Sequence, residues 1–321
     1  MHAIRVHTEG DARRLVLEEV ADPTPRPSQM LVRVSAFSVN HADLLGGGRG
    51  GNGATQPFIP GLDVSGVIEA VGEGVDGWSP GDPVMALVRG AYAELTLARE
   101  ITAYRPPRGV SIQEAASIPG VFFTAWYGLT RWGRMASGET VLVHAAGSGV
   151  GTAGIQIARA LGARVLTSAG SDEKVTKGVA LGAEAGINYS TQDVEAELLK
   201  LTDGRGVDVV LDSVSGAVFD ATLRALAPGG RVVSVGSAAG PRADLDEAAL
   251  QAQGQSVQAM GVAGDALEDP EQEAWARMMA WFEDGTLRPV VDRVLPWQRA
   301  EEAHRLLRDR AVFGKVVLTV E

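Results

Sequence analysis

The stretch of this chain that points most directly to chemistry is glycine-rich and runs from His144 to Gly151 (HAAGSGVG). A β-branched run precedes it, and apolar residues at helical spacing follow it. Such a turn presents backbone N–H groups and the positive end of a helix dipole, which suits a pyrophosphate. The predicted pyrophosphate-binding residues are Gly147, Ser148, Gly149, Val150 and Gly151. Because Ser148 stands where a glycine is common, a tight connection without a ligand stays the alternative.

The next predicted strand ends where the choice between NADH and NADPH would be made. An NAD site carries an acidic residue roughly 20 residues after the glycine-rich turn, whereas this chain has AGS at 169–171. Gly170 lets the backbone approach a phosphate, Ser171 can donate to it, and Lys174 supplies a positive charge. The pattern favours NADPH, although acidic residues follow at 172 and 173. Ser171 as a helix N-cap with a solvated Lys174 is the other interpretation, and both can hold at once.

The elements that position these residues follow from the same patterns. The turn lies inside a strand, helix, strand unit, and similar units continue through the runs 207–212 and 231–236. The chain before about residue 111 is instead strand-like and rich in turns, and a closing strand is predicted at 315–320. We therefore predict an α/β protein. Its 321 residues exceed the ~250 to 300 at which a single core stops growing, so we expect two domains.

Composition excludes several classes of function. The net charge of −11 argues against nucleic acid or an anionic membrane as partner, because both require a positive face. No apolar run reaches the ~18 residues of a membrane span, and we expect a cytoplasmic protein. The absence of cysteine excludes a disulfide, a thiolate metal site and a cysteine nucleophile. The five histidines show no HxxxH or HxxH spacing, so we predict no metal.

The whole chain resembles the zinc-free medium-chain dehydrogenases/reductases of the quinone oxidoreductase, zeta-crystallin-like, type. The motifs that carry the resemblance include Asn40–Leu44 (NHADL), Pro60–Gly81, Ala115–Leu129 (AASIPGVFFTAWYGL), His144–Gly151, Ala169–Lys174 (AGSDEK), Ala227–Gly236 (APGGRVVSVG) and Gly314–Leu318 (GKVVL). The resemblance implies a GroES-like β-rich catalytic domain plus a Rossmann dinucleotide-binding domain. Residues 1–118 would begin the catalytic domain, 119–262 would form the Rossmann NADPH-binding domain, and 263–321 would complete the catalytic domain.

Departures from the zinc-dependent branch of the family bear on the chemistry. A cysteine ligand of that branch is replaced by Asn40, and its Gly-His-Glu motif by Gly61, Leu62 and Asp63. The cysteine-rich structural-zinc lobe is also missing. A tyrosine found near the substrate in many quinone reductases is Leu45 here, beside the glycine-rich segment 46–53. The resemblance therefore does not define the substrate pocket.

The same resemblance implies the remaining site residues. Asn40 and Asp43 would lie near the nicotinamide, and Thr124 would hydrogen-bond near its carboxamide. The other implied cofactor residues are Tyr189, Ser213, Gly236, Ser237, Phe313, Gly314 and Lys315. Each has a structural alternative: Asn40 and Asp43 as turn residues, Thr124 as the cap of a helix over 125–132, and Phe313 as a core side chain. We interpret His41 as an exposed loop or pocket histidine rather than a proton donor.

These inferences predict an NADPH-dependent reductase of quinones or enones that transfers hydride without zinc. An enoyl-thioester reductase is the alternative, because Phe122–Leu129 also resembles polyketide enoyl reductase modules. A third hypothesis is an NADPH-binding protein with little turnover. We expect a small-molecule substrate and a homodimer, since Ser256–Val262 reads as an edge strand whose residues 257–261 could pair across a twofold axis.

Overall fold

The computed structural model describes residues 1–9, 12–44, 57–238, 240, 244–260 and 272–320. It divides the chain into two compact units, one of Met1–Gly120 with Leu267–Glu321 and one of Val121–Ala266. The boundaries at 118/119 and 262/263 stay a prediction. The predictions for Leu45, the segment 46–53 and Gly261, and the boundary residue 262, lie outside the described residues.

Strands predominate in the first third of the chain, and strands and helices alternate from residue 140 onward. The strands are β1 (His2–Glu9), β2 (Ala12–Glu19), β3 (Gln29–Ser38), β4 (Asp63–Val71), β5 (Pro83–Val88), β6 (Leu95–Tyr104), β7 (Thr140–Val143), β8 (Arg164–Ala169), β9 (Ala185–Asn188), β10 (Val207–Asp212), β11 (Leu226–Ser234), β12 (Ser256–Ala259), β13 (Val291–Pro296) and β14 (Lys315–Thr319). The helices are α1 (His41–Leu44), α2 (Ile112–Ala115), α3 (Pro119–Tyr127), α4 (Gly149–Ala160), α5 (Asp172–Ala180), α6 (Val194–Leu201), α7 (Gly216–Arg224), α8 (Glu247–Ala252), α9 (Gln272–Glu283) and α10 (Ala300–Arg308). In these ranges no helix is long and apolar enough to cross a membrane.

The first unit is organised around β3. Its main sheet has the order β13-β14-β3-β4-β5-β6, and β3 also pairs with β6, so four of the strands close on themselves. Met30, Val32 and Val34 alternate along β3 and are buried, as expected for a strand with one face in the core. Phe37 near the end of β3 stacks on Tyr92 with 4.3 Å between ring centroids. The short helix α1 follows β3 directly and is therefore anchored at the rim of this core.

The second unit contains a six-stranded parallel sheet with the order β12-β11-β10-β7-β8-β9. The chain moves outward from β7 in one direction and then from β10 in the other, which is the doubly wound arrangement of dinucleotide-binding domains. Every residue of β7 and β10 is buried, which agrees with their largely apolar sequences, TVLV and VDVVLD. The predicted α/β fold class is confirmed. In such sheets ligands bind outside the carboxyl ends of the strands.

One local prediction is wrong. The alternative interpretation of Thr124 made it the N-cap of a helix over 125–132. The helix α3 instead begins at Pro119, five residues before Thr124. A proline suits the first position of a helix because its missing N–H would have no partner there. Thr124 is therefore a buried residue in the helix interior. A π-helical turn, Gly128–Trp132, continues α3, and the Gly133 N–H closes it on the Gly128 carbonyl.

Candidate active site

The glycine-rich turn joins β7 to α4 in the second unit. Ser148 is the N-cap of α4, and its hydroxyl accepts a hydrogen bond from the Gly151 N–H at 2.9 Å. Gly151 packs so closely on the Ala145 carbonyl that a Cβ atom would overlap it. Because the first N–H groups of a helix have no acceptor within it, the amides of Gly149 and Val150 remain for a ligand such as a pyrophosphate.

A buried histidine, which the sequence did not single out, supports this turn. His144 Nδ1 lies 2.6 Å from Ser168 Oγ, and its Nε2 lies 3.0 Å from Thr222 Oγ1. Burial lowers the pKa of His144, so the ring stays neutral. The neutral imidazole thereby ties the end of β7 to β8 and α7.

The predicted NADPH-selecting residues gather at the end of β8. Ser171 is the N-cap of α5 and accepts from the Lys174 N–H at 3.4 Å. The Tyr189 ring, which follows β9, lies against Gly170, where an added Cβ would be 3.1 Å from the ring. Gly170 itself is exposed. The structure thus brings Gly170, Ser171, Lys174 and Tyr189 into one area of the sheet edge.

The two acidic residues that argued against NADPH are both engaged elsewhere. Asp172 Oδ1 accepts from the Asn188 side-chain amide at 2.7 Å. Glu173 forms an ion pair with Lys177 one helical turn further on, at 2.6 Å. Asp172 and Glu173 thus bind other side chains, and neither takes the role of the acidic residue that binds the ribose hydroxyls in an NAD site.

The carboxyl ends of β10 and β11 bring the other predicted cofactor residues together. The Ala238 N–H donates to the Ser213 carbonyl at 3.2 Å, and a Cβ on Gly236 would lie 3.5 Å from the same carbonyl oxygen. Ser237 lies between these contacts. Beneath them Asp212 is fully buried; its Oδ1 accepts two backbone N–H groups, whereas its Oδ2 has no partner among the described residues.

In the first unit the site is organised by Asp63, which the sequence analysis names only as a departure from the zinc motif and not as a site residue. Asp63 is fully buried at the start of β4. Its Oδ2 accepts from Ser38 Oγ at 2.9 Å and from Asn40 Nδ2 at 2.7 Å, and its Oδ1 accepts from the Gly120 N–H at 2.6 Å. A side chain at Gly120 would collide with this carboxylate. Asp63 therefore orients Asn40.

Lys315 holds the opposite end of the same amide. Its Nζ donates to Asn40 Oδ1 at 2.6 Å and to the Val39 carbonyl at 2.8 Å, and lies 3.9 Å from Asp63 Oδ2. Burial lowers the pKa of Lys315, while the Asp63 and Asp43 carboxylates oppose that shift. Both ends of the Asn40 amide are thus fixed by charged neighbours.

The neighbours of Lys315 are placed by the backbone. Gly314 has a φ of 102° and packs so tightly on the Val290 carbonyl that a side chain would overlap it. The Phe313 N–H donates to Asp292 at 2.9 Å, and the Phe313 side chain is only half-buried, so it is not a core residue.

Asp43 lies on α1 and is 3% exposed. Its Oδ2 accepts from the Asn40 N–H at 2.8 Å and from the Tyr92 hydroxyl at 3.2 Å, and Tyr92 Oη lies 3.0 Å from His304 Nε2. Burial raises the pKa of Asp43 to about 7 and lowers the pKa of His304 to about 4. At neutral pH, Tyr92 therefore links a carboxyl group that can gain or lose a proton, Asp43, to a neutral imidazole, His304. His41, on the same helix, is exposed.

Sequence reasoning missed Asp63, Tyr92 and His304 for different reasons. Asp63 is an acidic residue between apolar neighbours, a pattern that indicates a buried carboxylate and could have been noticed. Tyr92 and His304 are 212 residues apart in the chain, and no spacing rule joins them. Their contact depends on the way the tail packs onto the first module.

Comparison with known proteins gives two family models and many full-length relatives. Residues 26–120 match the model described as alcohol dehydrogenase GroES-like domain, and residues 181–318 match the one described as zinc-binding dehydrogenase. A quinone oxidoreductase of Sus scrofa is 34% identical over 99% of this chain and 97% of its own length.

Solved structures are similar over the whole chain. A mycobacterial protein solved in complex with NADPH has a TM-score of 0.91 and 31% identity, with all of both chains covered. CurK enoyl reductase has a TM-score of 0.88 and 27% identity, covering 100% of this chain and 99% of its own.

The name of the second model raises the question of zinc, and the residues present do not fit it. Asn40, Leu62 and Asp63 stand where the zinc branch has ligands, but they supply no thiolate and no imidazole. Both oxygens of Asp63 already accept hydrogen bonds, and the Lys315 ammonium group lies beside them. The part of the chain that the structure describes contains no group of three His, Cys, Asp or Glu side chains suited to a metal ion.

Proposed function

Because this chain belongs to the medium-chain dehydrogenase/reductase family and is an enzyme of the quinone oxidoreductase type, we propose that it reduces quinones or enones with NADPH and without a metal. The observation that carries the proposal is the Asn40, Asp63 and Lys315 cluster. The Lys315 ammonium group supplies a positive charge beside Asn40 and Asp63, two of the positions at which the zinc branch has ligands. Without a Lewis acid, the substrate must accept hydride readily by itself, as quinones and conjugated enones do.

A nicotinamide dinucleotide cofactor is supported by the family and by the parallel sheet. We assign its pyrophosphate to the turn Gly147–Gly151 and a 2′-phosphate to Gly170, Ser171 and Lys174, beside Tyr189. The engagement of Asp172 and Glu173 with other side chains favours NADPH over NADH. Further assigned cofactor residues are Ser213, Gly236, Ser237, Phe313, Gly314 and Lys315.

The bound dinucleotide supplies the hydride, and the chain supplies orientation and a dry site. We assign Asn40 and Asp43 to the nicotinamide end and Thr124 to its carboxamide. The Asn40 amide is held at both ends, so it cannot rotate away when substrate enters. Such fixed polar groups need no reorganisation during the reaction.

The test is oxidation of NADPH with 9,10-phenanthrenequinone, with crotonyl-CoA and with neither. We expect rapid oxidation with the quinone and little without an acceptor. Asn40→Ala should lower kcat for the quinone by roughly a hundredfold if the amide orients the reacting groups. Oxidation that is equal with and without quinone would contradict the proposal.

An enoyl-thioester reductase is the second candidate. The similarity to CurK enoyl reductase, which covers the whole chain, favours it. The sequence 122–129 in α3 and the π-helical turn also resembles that class. A kcat/KM for crotonyl-CoA above that for the quinone would select this reaction.

A further inference from the structure

Three buried side chains of the first unit form a continuous polar chain. Asp43 Oδ2 accepts from the Tyr92 hydroxyl at 3.2 Å, and Tyr92 Oη lies 3.0 Å from His304 Nε2. Asp43 is 3% exposed, Tyr92 0% and His304 5%. A phenol has one proton to donate. Because Tyr92 donates this proton in its hydrogen bond to Asp43, its other contact requires His304 to donate from Nε2–H to Tyr92 Oη.

Asp43 Oδ1 is buried without a hydrogen-bond partner among the residues that the structure describes. Leaving a carboxyl oxygen unpaired in a dry environment is costly, so such an atom points to a ligand. When Asp43 is protonated, Oδ1 can carry the proton and donate it to that ligand.

A small pocket lies beside both ends of this polar chain. Asp43 and His304 both line it, together with residues of β1, β2, α1 and α10, and its volume is about 40 Å³. A polar space of that size has room for one or more water molecules. Water there can exchange protons with the imidazole ring.

We propose that Tyr92 and His304 form a proton relay that returns a proton to Asp43 after Asp43 has protonated the reduced substrate. The inference rests on the proposed function, in which Asp43 lies at the reacting end of the site. Reduction of a quinone or enone needs one hydride and one proton. The hydride and its electron pair come from the reduced nicotinamide, which is oxidised, and the proton leaves Asp43 for the substrate oxyanion or carbanion.

The return step balances without another reactant. Water in the pocket gives a proton to His304 Nδ1 as Nε2 releases its proton to Tyr92 Oη. The tyrosine proton passes at the same time to Asp43 Oδ2, and the water is left as hydroxide, which leaves to solvent. Rotation of the protonated carboxyl group about its Cβ–Cγ bond then brings the proton to the Oδ1 position, from which it is donated. Exchange with solvent then restores the imidazole tautomer. Each proton transfer uses a hydrogen bond that the structure contains, apart from the contact with water.

The charges around the relay allow this direction of transfer. Lys315 lowers the pKa of Asp43 and Asp63 raises it, while burial, the largest cause, brings it to about 7. Burial likewise raises the pKa of Tyr92, which keeps its hydroxyl protonated. On α10, Glu301 raises and Arg308 lowers the pKa of His304. Arg13 and Arg14 of β2 and His41 of α1 are the other titratable groups nearby, the two arginines at the pocket wall.

The relay can be tested without turnover by a rapid pH drop on cofactor-free protein, followed by infrared spectroscopy. The carboxylic acid band that disappears in Asp43→Asn reports protonation of Asp43. In Tyr92→Phe and His304→Gln we expect that band to rise at least about tenfold more slowly than in wild type. Tyr104→Phe is the matched control, since it removes another buried tyrosine hydroxyl of the same unit, one that donates to the Ile101 carbonyl at 3.3 Å.

A second measurement separates a relay from a merely structural role. With NADPH and 9,10-phenanthrenequinone, Tyr92→Phe should complete its first turnover at the wild-type rate, because Asp43 starts protonated. The assay is run at about pH 6, where Asp43 is mostly protonated before mixing, and later turnovers should there be about tenfold slower than in wild type.

Unchanged band kinetics in both relay variants would overturn the proposal. So would an equal loss in first and later turnovers, or the same slowing in Tyr104→Phe. If wild-type protein does not reduce the quinone, the proposed function fails, and the infrared measurement alone decides the relay.

Discussion

At the scale of single residues, Lys174 is the side chain on which the proposed preference for NADPH depends. We predict that Lys174→Ala weakens NADPH binding by about 1.5 to 3 kcal/mol, the value of a charge-assisted contact with phosphate, and leaves NADH binding unchanged. Isothermal titration calorimetry with both dinucleotides measures this. Lys177→Ala is the matched control, because it removes the same charge from the same helix at the ion pair with Glu173. Equal affinities of the wild type for the two dinucleotides would contradict the assignment.

Asp43 and His304 should change the free energy of unfolding in opposite directions as pH rises. Folding raises the pKa of Asp43 from an ordinary 3.8 to about 7, so this group lowers the free energy of unfolding as pH rises through that interval. Folding lowers the pKa of His304 from 6.5 to about 4, so that group lowers stability as pH falls through its own interval.

Relative to wild type, Asp43→Asn should therefore gain stability as pH rises from about 4 to 7, by up to roughly 4 kcal/mol. His304→Gln should gain as pH falls from about 6.5 to 4. Urea unfolding at a series of pH values gives both differences, with the exposed Asp244→Asn as control. A difference that stays constant across these intervals would show that the groups are not buried as described.

At the scale of elements, most of the framework could be predicted from sequence patterns alone. The strand β10 has the predicted bounds, 207–212, because it is a mostly apolar, β-branched segment that follows turn residues. Gly162, which lies just beyond the end of α4, has a φ of 85°, as is common for a glycine after a helix C-terminus. The onset of α3 was missed because nothing in the local pattern separates Pro119 from the turn before it. The contact among Asp43, Tyr92 and His304 could not be predicted, because its three members lie far apart in the sequence. They come from α1, from the segment that follows β5, and from α10.

The strand β12 also carries a prediction at this scale. It lies at one end of the parallel sheet and pairs, within the described ranges, only with β11. Pairing with a second copy across a twofold axis would cover that edge, so we expect a homodimer with Val257–Ala259 at the seam. Light scattering should give twice 33.5 kDa. Ala259→Pro, which removes an N–H donor from the edge, should shift the mass toward the monomer. A wild-type mass near 33.5 kDa at micromolar concentration would refute the dimer.

For the molecule as a whole, two features bear on its metal content: the sequence has no cysteine, and the Lys315 ammonium group lies beside Asp63. We predict that the purified protein contains no stoichiometric zinc and that a chelator leaves its activity unchanged. Elemental analysis and an assay after dialysis against chelator measure this. One zinc per chain would assign the protein to the zinc-dependent branch and contradict the role given to the cluster.

The position of β14 beside β3 has a consequence for how the enzyme matures. Ser38 pairs with Val317, so the first unit joins segments from opposite ends of the chain, while the parallel sheet of the second unit is continuous in sequence. A nascent chain leaving the ribosome can thus complete the second unit while the first still lacks Lys315, the residue that fixes Asn40. Contacts between such distant segments close slowly. Catalytic competence should accordingly emerge in the last kinetic phase, after the dinucleotide-binding sheet has already formed.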